Sequence, residues 1–118
     1  MADIRTTTDL VRLPTTTNQE LQAHSWECLC VPRRKVAGYC STSGTLGRPV
    51  TIALTPNDVV RLHHHEYLSF ACAGGQSDDR YQLMPTLDRQ FMAGIACYGG
   101  ILKSGDSAIR TGPGNLAA

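Results

Sequence analysis

Three consecutive histidines followed by a glutamate, His63 to Glu66, are the residues of this chain best suited to chemistry. Neutral imidazole is a preferred zinc ligand, and in a strand His63 and His65 would point the same way. Cys28 and Cys30 have the same alternate spacing and could add thiolate ligands. Adjacent histidines diverge, however, so at most two of the three could bind one ion. Cys-x-x-Cys and His-Glu-x-x-His patterns are both absent from the sequence, which weakens the metal hypothesis.

The same histidines allow two other interpretations. Histidine titrates near neutral pH, so a pH-sensitive interface built around residues 63–65 is one alternative. The other is a polar surface or interface segment whose imidazoles form hydrogen bonds with backbone groups, and this is the one we favour. The sequence therefore assigns no residue to a catalytic, cofactor-binding or metal site.

The cysteines are candidate nucleophiles if a histidine lies near one of them in the fold. They number five: Cys28, Cys30, Cys40, Cys72 and Cys97. All but Cys40 lie in apolar stretches, where a thiol is usually inert. The odd number argues against a disulfide framework, and residues 1–5 lack the apolar core of a signal peptide. These features predict synthesis in the cytoplasm with reduced thiols, and location in the virion if the protein is viral.

The composition limits the classes of partner. Charged residues make up 18% of the chain and the formal net charge is +1, which favours association with other subunits. The basic run Arg33-Arg34-Lys35 is too short to predict nucleic-acid binding, and the apolar run of residues 91–102 is too short to span a membrane. No Gly-x-Ser-x-Gly elbow or Gly-Lys-Ser/Thr phosphate loop occurs. We therefore expect copies of the chain or other structural subunits as partners, and no small-molecule substrate is evident.

The amino-terminal half combines a threonine-rich start with short β-prone segments. Residues 1–17 contain two threonine triplets, and their β-branched character favours an extended arm or edge strand. Thr17 and Glu20 have the spacing of a capping box, which predicts a short helix ending near His24. Beyond it the pattern predicts strands at residues 25–31, 35–40 and 49–54.

Residues 55–72 carry conflicting signals. The segment Thr55-Pro56-Asn57-Asp58 offers a helix N-cap, a proline at the first helical position and an acid in the first turn. Val59 to Leu62, in contrast, is β-prone. We predict a helical turn or short helix at residues 56–64 and a strand at residues 66–72.

The glycine content of the last third favours strands. Each glycine weakens a helix by about 1 kcal/mol relative to alanine, and Gly94, Gly99 and Gly100 lie close together. The sequence therefore predicts strands at residues 91–97 and 100–103. Further short strands are predicted at residues 81–84 and 107–111.

The segment from Phe91 to Gly112 resembles the closing strands of small phage capsid decoration (cement) proteins. The similarity lies in a Gly-Ile-Ala strand at residues 94–96, a Gly-Asp turn at residues 105–106 and a short final strand. This resemblance implies a small β-rich domain that sits on or between capsid subunits, often as an oligomer, without catalysis.

The predicted fold is mainly β with one or two short helices, a small antiparallel barrel or sandwich, with α+β as the second choice. An extended arm, residues 1–17, precedes a single β-rich domain, residues 18–118. The predicted function is that of a non-enzymatic structural protein in a multi-subunit assembly, most plausibly a virion component of the capsid decoration or head/tail kind. The alternative is a small cytoplasmic metal- or thiol-dependent enzyme or regulator that uses residues 63–65 and nearby cysteines.

Overall fold

The chain folds into an α+β structure with two separate two-stranded sheets. The computed structural model describes residues 4–42, 48–87 and 90–114. Within these residues two short 3-10 helices occur, at Thr7–Arg12 and Arg33–Lys35. The remaining elements, in chain order, are α1 (Asn18–His24), β1 (Gly38–Ser41), β2 (Thr51–Leu54), α2 (Pro56–Cys72), β3 (Arg80–Leu83), α3 (Met92–Ser104) and β4 (Ser107–Arg110).

The first sheet is the antiparallel pair of β1 and β2. Gly38 lies opposite Leu54 and Cys40 opposite Ile52, so the alternating pattern predicted for residues 49–54 is confirmed as a strand. Cys40, Leu54 and the neighbouring Val50 are buried, which places the inner face of this sheet in the core.

The second sheet is the parallel pair of β3 and β4, with Arg80 opposite Ser107 and Leu83 opposite Arg110. Parallel neighbours need a long crossover connection, and α3 provides it. Leu83 from β3 and Ile101 from α3 are both buried, at 4% and 1% exposure. This β3–α3–β4 unit forms the second part of the core.

The helices α2 and α3 pack along each other in the same direction. A side chain on Gly99 would meet His63, and one on Gly100 would meet Glu66 and the backbone nitrogen of Tyr67. Ala71 in the last turn of α2 and Ser104 at the end of α3 line the same cavity, so the carboxyl-terminal ends of the two helices lie at the same end of the molecule. A Cβ on Gly100 would lie only 2.6 Å from Glu66 Cβ, so this close approach requires glycine.

The predicted mainly β barrel or sandwich is therefore wrong. The predicted strands at residues 91–97 and 100–103 are the single helix α3, and the strand at residues 66–72 is the second half of α2. Gly99 and Gly100 pack closely against α2 and Gly94 against the backbone of Thr86, a tertiary effect that outweighs the low helix propensity of these glycines. The predicted buried strand at residues 25–31 begins as a turn in which Trp26 is 52% exposed.

Residues 4–17 are largely exposed, and the 3-10 helix at Thr7–Arg12 replaces the extended conformation predicted there. Asp9 accepts hydrogen bonds from the backbone nitrogens of Arg5 and Thr6, which closes this turn locally. The division into an arm of residues 1–17 and a domain of residues 18–118 stays a prediction. Within the described ranges, every helix is too short or too polar to cross a membrane.

Candidate functional site

The polar loop between β1 and β2 has a well-defined base. The Thr42 backbone nitrogen donates to the Val50 carbonyl oxygen at 3.0 Å, and the Val50 nitrogen donates to Thr42 Oγ1, also at 3.0 Å. We call Ser41, Thr42 and Val50 the loop base. The reciprocal hydrogen bonds join the two ends of the segment formed by residues 43–49.

The loop base lies beside the amino-terminal end of α3. The Ser41 nitrogen donates to the Gln90 carbonyl oxygen at 2.9 Å, and Ser41 forms a parallel β-bridge with Phe91. Phe91 is the N-cap of α3 and its side chain cannot accept a hydrogen bond from the first turn. The amino-terminal N–H groups of a helix carry partial positive charge and attract anions. This arrangement places the amino-terminal end of α3 next to the loop base.

Gln90 adopts a left-handed backbone conformation, with φ of 59°. A non-glycine residue in this region is strained by about 1 kcal/mol or more, and such strain is concentrated at functional sites. The hydrogen bond from Ser41 to Gln90 holds the strained residue at the loop base. The strain therefore supports a functional role for this corner of the molecule.

The sequence of the loop is rich in hydrogen-bond donors. Residues 43–47 lie outside the described residues, and their sequence is Ser-Gly-Thr-Leu-Gly, followed by Arg48. Hydroxyls, the backbone N–H groups near glycine, and a guanidinium are the donors that proteins use for phosphate. The segment does not contain the Gly-Lys-Ser/Thr pattern, so its sequence alone predicts no more than a polar loop.

The histidine run lies in the middle of α2, where successive residues point about 100° apart. His63 packs against α3, whereas His64 and His65 are exposed. The expectation that His63 and His65 share a face depended on a strand and fails in a helix. In the described part of the chain, no three His, Cys, Asp or Glu side chains come together to hold a metal ion.

All five cysteines are free thiols. The Cys97 thiol donates to Glu66 Oε2 at 3.8 Å, and burial, followed by the charge of Glu66, raises the pKa of Cys97. Burial also raises the pKa of Cys40. Cys28 and Cys30, expected side by side on a strand, follow α1 in a turn and an exposed irregular segment. Because the thiolate is the reactive form, the geometry favours packing roles for Cys40 and Cys97.

Comparison with known proteins relates the chain to ligases that act with coenzyme A. The sequence is 32% identical over 79 residues to the phenylacetate-coenzyme A ligase of Escherichia coli strain K12, covering 66% of this chain and 18% of that enzyme. No protein-family model matches the sequence.

The fold is that of a region of solved CoA ligase structures. An open conformation of 2-hydroxyisobutyryl-CoA ligase, in complex with 2-HIB-AMP and CoA, matches 90% of this chain and 25% of its own, with a TM-score of 0.75 and 17% identity. The same ligase in its postadenylation state with R3-HIB-AMP matches 90% of this chain and 23% of its own, with a TM-score of 0.75 and 16% identity. The chain thus spans about a fifth to a quarter of the length of these relatives.

These comparisons overturn the interpretation of the chain as a capsid decoration or other virion protein. Both the sequence and the fold are similar to enzymes, so the non-enzymatic structural role is wrong, as is the resemblance on which it depended. The Gly-Ile-Ala segment at residues 94–96 lies in α3 and forms no strand. The prediction of structural subunits as partners, with no small-molecule substrate, is also contradicted, because the similar ligase structures are complexes with small molecules.

Proposed function

We propose that this chain is a piece of an acyl-CoA ligase, an enzyme that activates a carboxylic acid as its adenylate and transfers the acyl group to CoA. One observation carries the proposal: sequence comparison and fold comparison independently lead to CoA ligases. The small molecules of the complete enzyme are then ATP, a carboxylic acid and CoA. The proposal includes a cytoplasmic location, a compartment in which the five free thiols would stay reduced.

Within such an enzyme, the β1–β2 loop is the part of this chain that binds phosphate. In adenylation the carboxylate attacks the α-phosphorus of ATP and pyrophosphate leaves, so negative charge must be stabilised on the phosphate oxygens. The loop base, from which the hydroxyl- and glycine-rich segment departs, lies beside the start of α3, whose dipole favours that charge. Arg48, exposed at the end of the loop, adds a full positive charge.

The shape of the chain supports its role as part of a larger enzyme. Its radius of gyration is 17.6 Å, whereas a compact domain of this length is expected at about 13.5 Å. Large apolar side chains are exposed on several elements, among them Trp26, Val60, Met84, Leu102 and Ile109. Exposed apolar surface of this kind marks protein contacts, and the remainder of a ligase would cover it.

ATP binding to the 118-residue chain tests the phosphate-binding role. We expect saturable ATP binding by isothermal titration calorimetry, and about tenfold weaker binding by Arg48→Gln, because a charge-assisted hydrogen bond is lost. Arg34→Gln is the matched control, since Arg34 is an exposed arginine on the 3-10 helix before β1. Its ATP affinity should equal that of the unchanged chain.

Two outcomes would count against the proposal. An equal loss of ATP affinity in Arg48→Gln and Arg34→Gln would mean that ATP binding depends only on the overall charge of the chain. A complete absence of ATP binding at millimolar concentration would remove the loop from the phosphate-binding role.

A further inference from the structure

A cavity of about 200 Å³ lies where α2 and α3 end. Its walls include the rings of Tyr67 and Phe70 from α2 and of Tyr81 from β3. Ser104, the last residue of α3, and Asp106, just before β4, complete its polar side. We call this the helix-end cavity. It lies at the opposite end of α3 from the loop base, so it is distinct from the proposed phosphate site.

Asp106 is a buried acid without enough hydrogen-bond donors. It is 8% exposed, and its Oδ1 has no hydrogen-bond partner among the described residues. Its Oδ2 accepts a hydrogen bond from Ser104 Oγ, but that hydroxyl also lies 2.7 Å from the Ile101 carbonyl oxygen. A hydroxyl has one proton, so the carboxylate has at most one donor. A buried carboxyl group with so few partners can accept further hydrogen bonds from a bound donor.

The field in the helix-end cavity is negative. The carboxyl-terminal ends of α2 and α3 both meet there, and each carries the negative pole of a helix dipole. Burial raises the pKa of Tyr81, and the charges of Asp79 and Asp106 raise it further, which shows that both acids act on this phenol. No Lys, Arg or His belongs to the described residues that line the cavity. The described lining residues therefore supply no positive charge to Asp106.

Two of the aromatic residues that line the cavity pack against each other. The rings of Phe70 and Tyr81 have centroids 4.9 Å apart and are tilted by 41°. Gly75 makes room for the phenol, because a Cβ at this position would lie 2.2 Å from Tyr81 Oη. Cations bind over such rings with about 0.5–2 kcal/mol of stabilisation.

We propose that the helix-end cavity binds a small organic ammonium ion, with Asp106 as its counter-ion and Tyr67, Phe70 and Tyr81 as its walls. A metal ion suits the site poorly, because Ca²⁺ or Mg²⁺ requires several oxygen ligands. The described residues bring no three acidic, histidine or cysteine side chains together. An alkylammonium ion instead matches both the carboxylate and the rings. This proposal does not depend on the ligase function.

The test compares n-butylammonium with n-butanol, its neutral analogue of similar size, on the full chain at constant ionic strength. We expect n-butylammonium to cause saturable shifts of the Tyr81 and Phe70 ring signals in NMR spectra, and n-butanol to cause none. Asp106→Asn should weaken n-butylammonium binding by about tenfold or more.

Asp78→Asn is the matched control. Asp78 carries the same charge, is exposed and does not line the cavity. Its left-handed backbone, with φ of 76°, accepts asparagine without added strain. The affinity of Asp78→Asn for n-butylammonium should equal that of the unchanged chain.

The proposal would be overturned if the unchanged chain and Asp106→Asn bound n-butylammonium with equal affinity. It would also be overturned if Asp106→Asn and Asp78→Asn lost the same amount of n-butylammonium affinity. Equal shifts from n-butylammonium and n-butanol would mean that the cavity is an apolar or water-filled space. That comparison uses the unchanged chain alone, so it decides the question even if Asp106→Asn fails to fold.

Discussion

The imidazole of His63 occupies the space that a side chain on Gly99 would fill. A Cβ built on Gly99 would lie 2.0 Å from His63 Cδ2 and 2.2 Å from its Nε2. His63, which the sequence offered as a candidate metal ligand, is thus a packing residue in the contact between α2 and α3. The proposed phosphate site lies elsewhere, at the amino-terminal end of α3.

Gly99→Ala is expected to lower the free energy of unfolding by about 1–2 kcal/mol. Overpacking costs about 1–3 kcal/mol, and the higher helix propensity of alanine offsets up to about 1 kcal/mol of it. Urea unfolding followed by circular dichroism measures the change. Adding His63→Ala to Gly99→Ala should restore part of the loss, because the clashing ring is removed.

Gly38→Ala provides the control for this experiment. Gly38 is in β1, and a Cβ there would meet nothing within 4 Å. No loss of stability is expected. A Gly99→Ala variant as stable as Gly38→Ala would contradict the close packing of α2 on α3.

Thr55→Ala is expected to cost about 1 kcal/mol of stability, because it removes the N-cap of α2. Thr55 Oγ1 accepts from the Asp58 nitrogen at 3.3 Å, and Asp58 Oδ2 accepts from the Thr55 nitrogen at 2.8 Å. Thermal unfolding of the variant measures the loss. Thr55→Ser keeps the hydroxyl, so its stability should remain close to that of the unchanged chain.

The stabilisation contributed by Asp58 should disappear in acid. Hydrogen bonds from the Thr55 hydroxyl and backbone hold the pKa of Asp58 below its usual value, with a further contribution from Arg61. A lowered folded-state pKa gives stability that is fully present above the unfolded-state pKa of about 3.9 and is lost as the pH falls through the folded-state value.

Unfolding of Asp58→Asn and the unchanged chain, compared at neutral pH and at decreasing pH below about 4, measures this effect. The difference between the two proteins should shrink with acid. A difference that stays constant over this range would show that the Asp58 charge does not support the helix cap.

Cys97 is expected to react with iodoacetamide much more slowly than the exposed Cys28, Cys30 and Cys72. Burial and the charge of Glu66 raise the pKa of Cys97, so little thiolate is present near neutral pH. Mass spectrometry after timed labelling gives the rate at each cysteine. Glu66→Gln should speed the labelling of Cys97 and leave Cys40 unchanged, because burial alone raises the pKa of Cys40. Equal labelling rates at Cys97 and Cys28 would contradict the raised pKa of the Cys97 thiol.

Sequence patterns that involve only a few neighbouring residues correctly predicted several helices and strands. The capping box of Thr17 and Glu20 predicted α1, which runs from Asn18 to His24 as expected. The strands predicted at residues 81–84 and 107–111 are confirmed as β3 and β4, although their parallel pairing was not foreseen. Caps and short alternating runs depend on local hydrogen bonds and local burial, which the sequence displays directly.

The candidate site was only partly visible in the sequence. The serine- and glycine-rich segment of residues 43–47 lies outside the described residues, and the function proposed for it depends on what lies beside its base. The contact between Ser41 and Gln90 joins residues far apart in the chain, and no local pattern predicts it. The sequence left the directions of the His63–His65 side chains open, because they depend on whether the backbone is helix or strand.

The sequence by itself determined where α1 and α2 begin and where the strands β2, β3 and β4 lie. Only the tertiary structure decided that residues 92–104 are a helix and that α2 continues to Cys72. The physical reason lies in Gly99 and Gly100, which disfavour a helix in isolation by about 1 kcal/mol each. That cost is offset only when α2 packs against them at a distance that no larger residue permits.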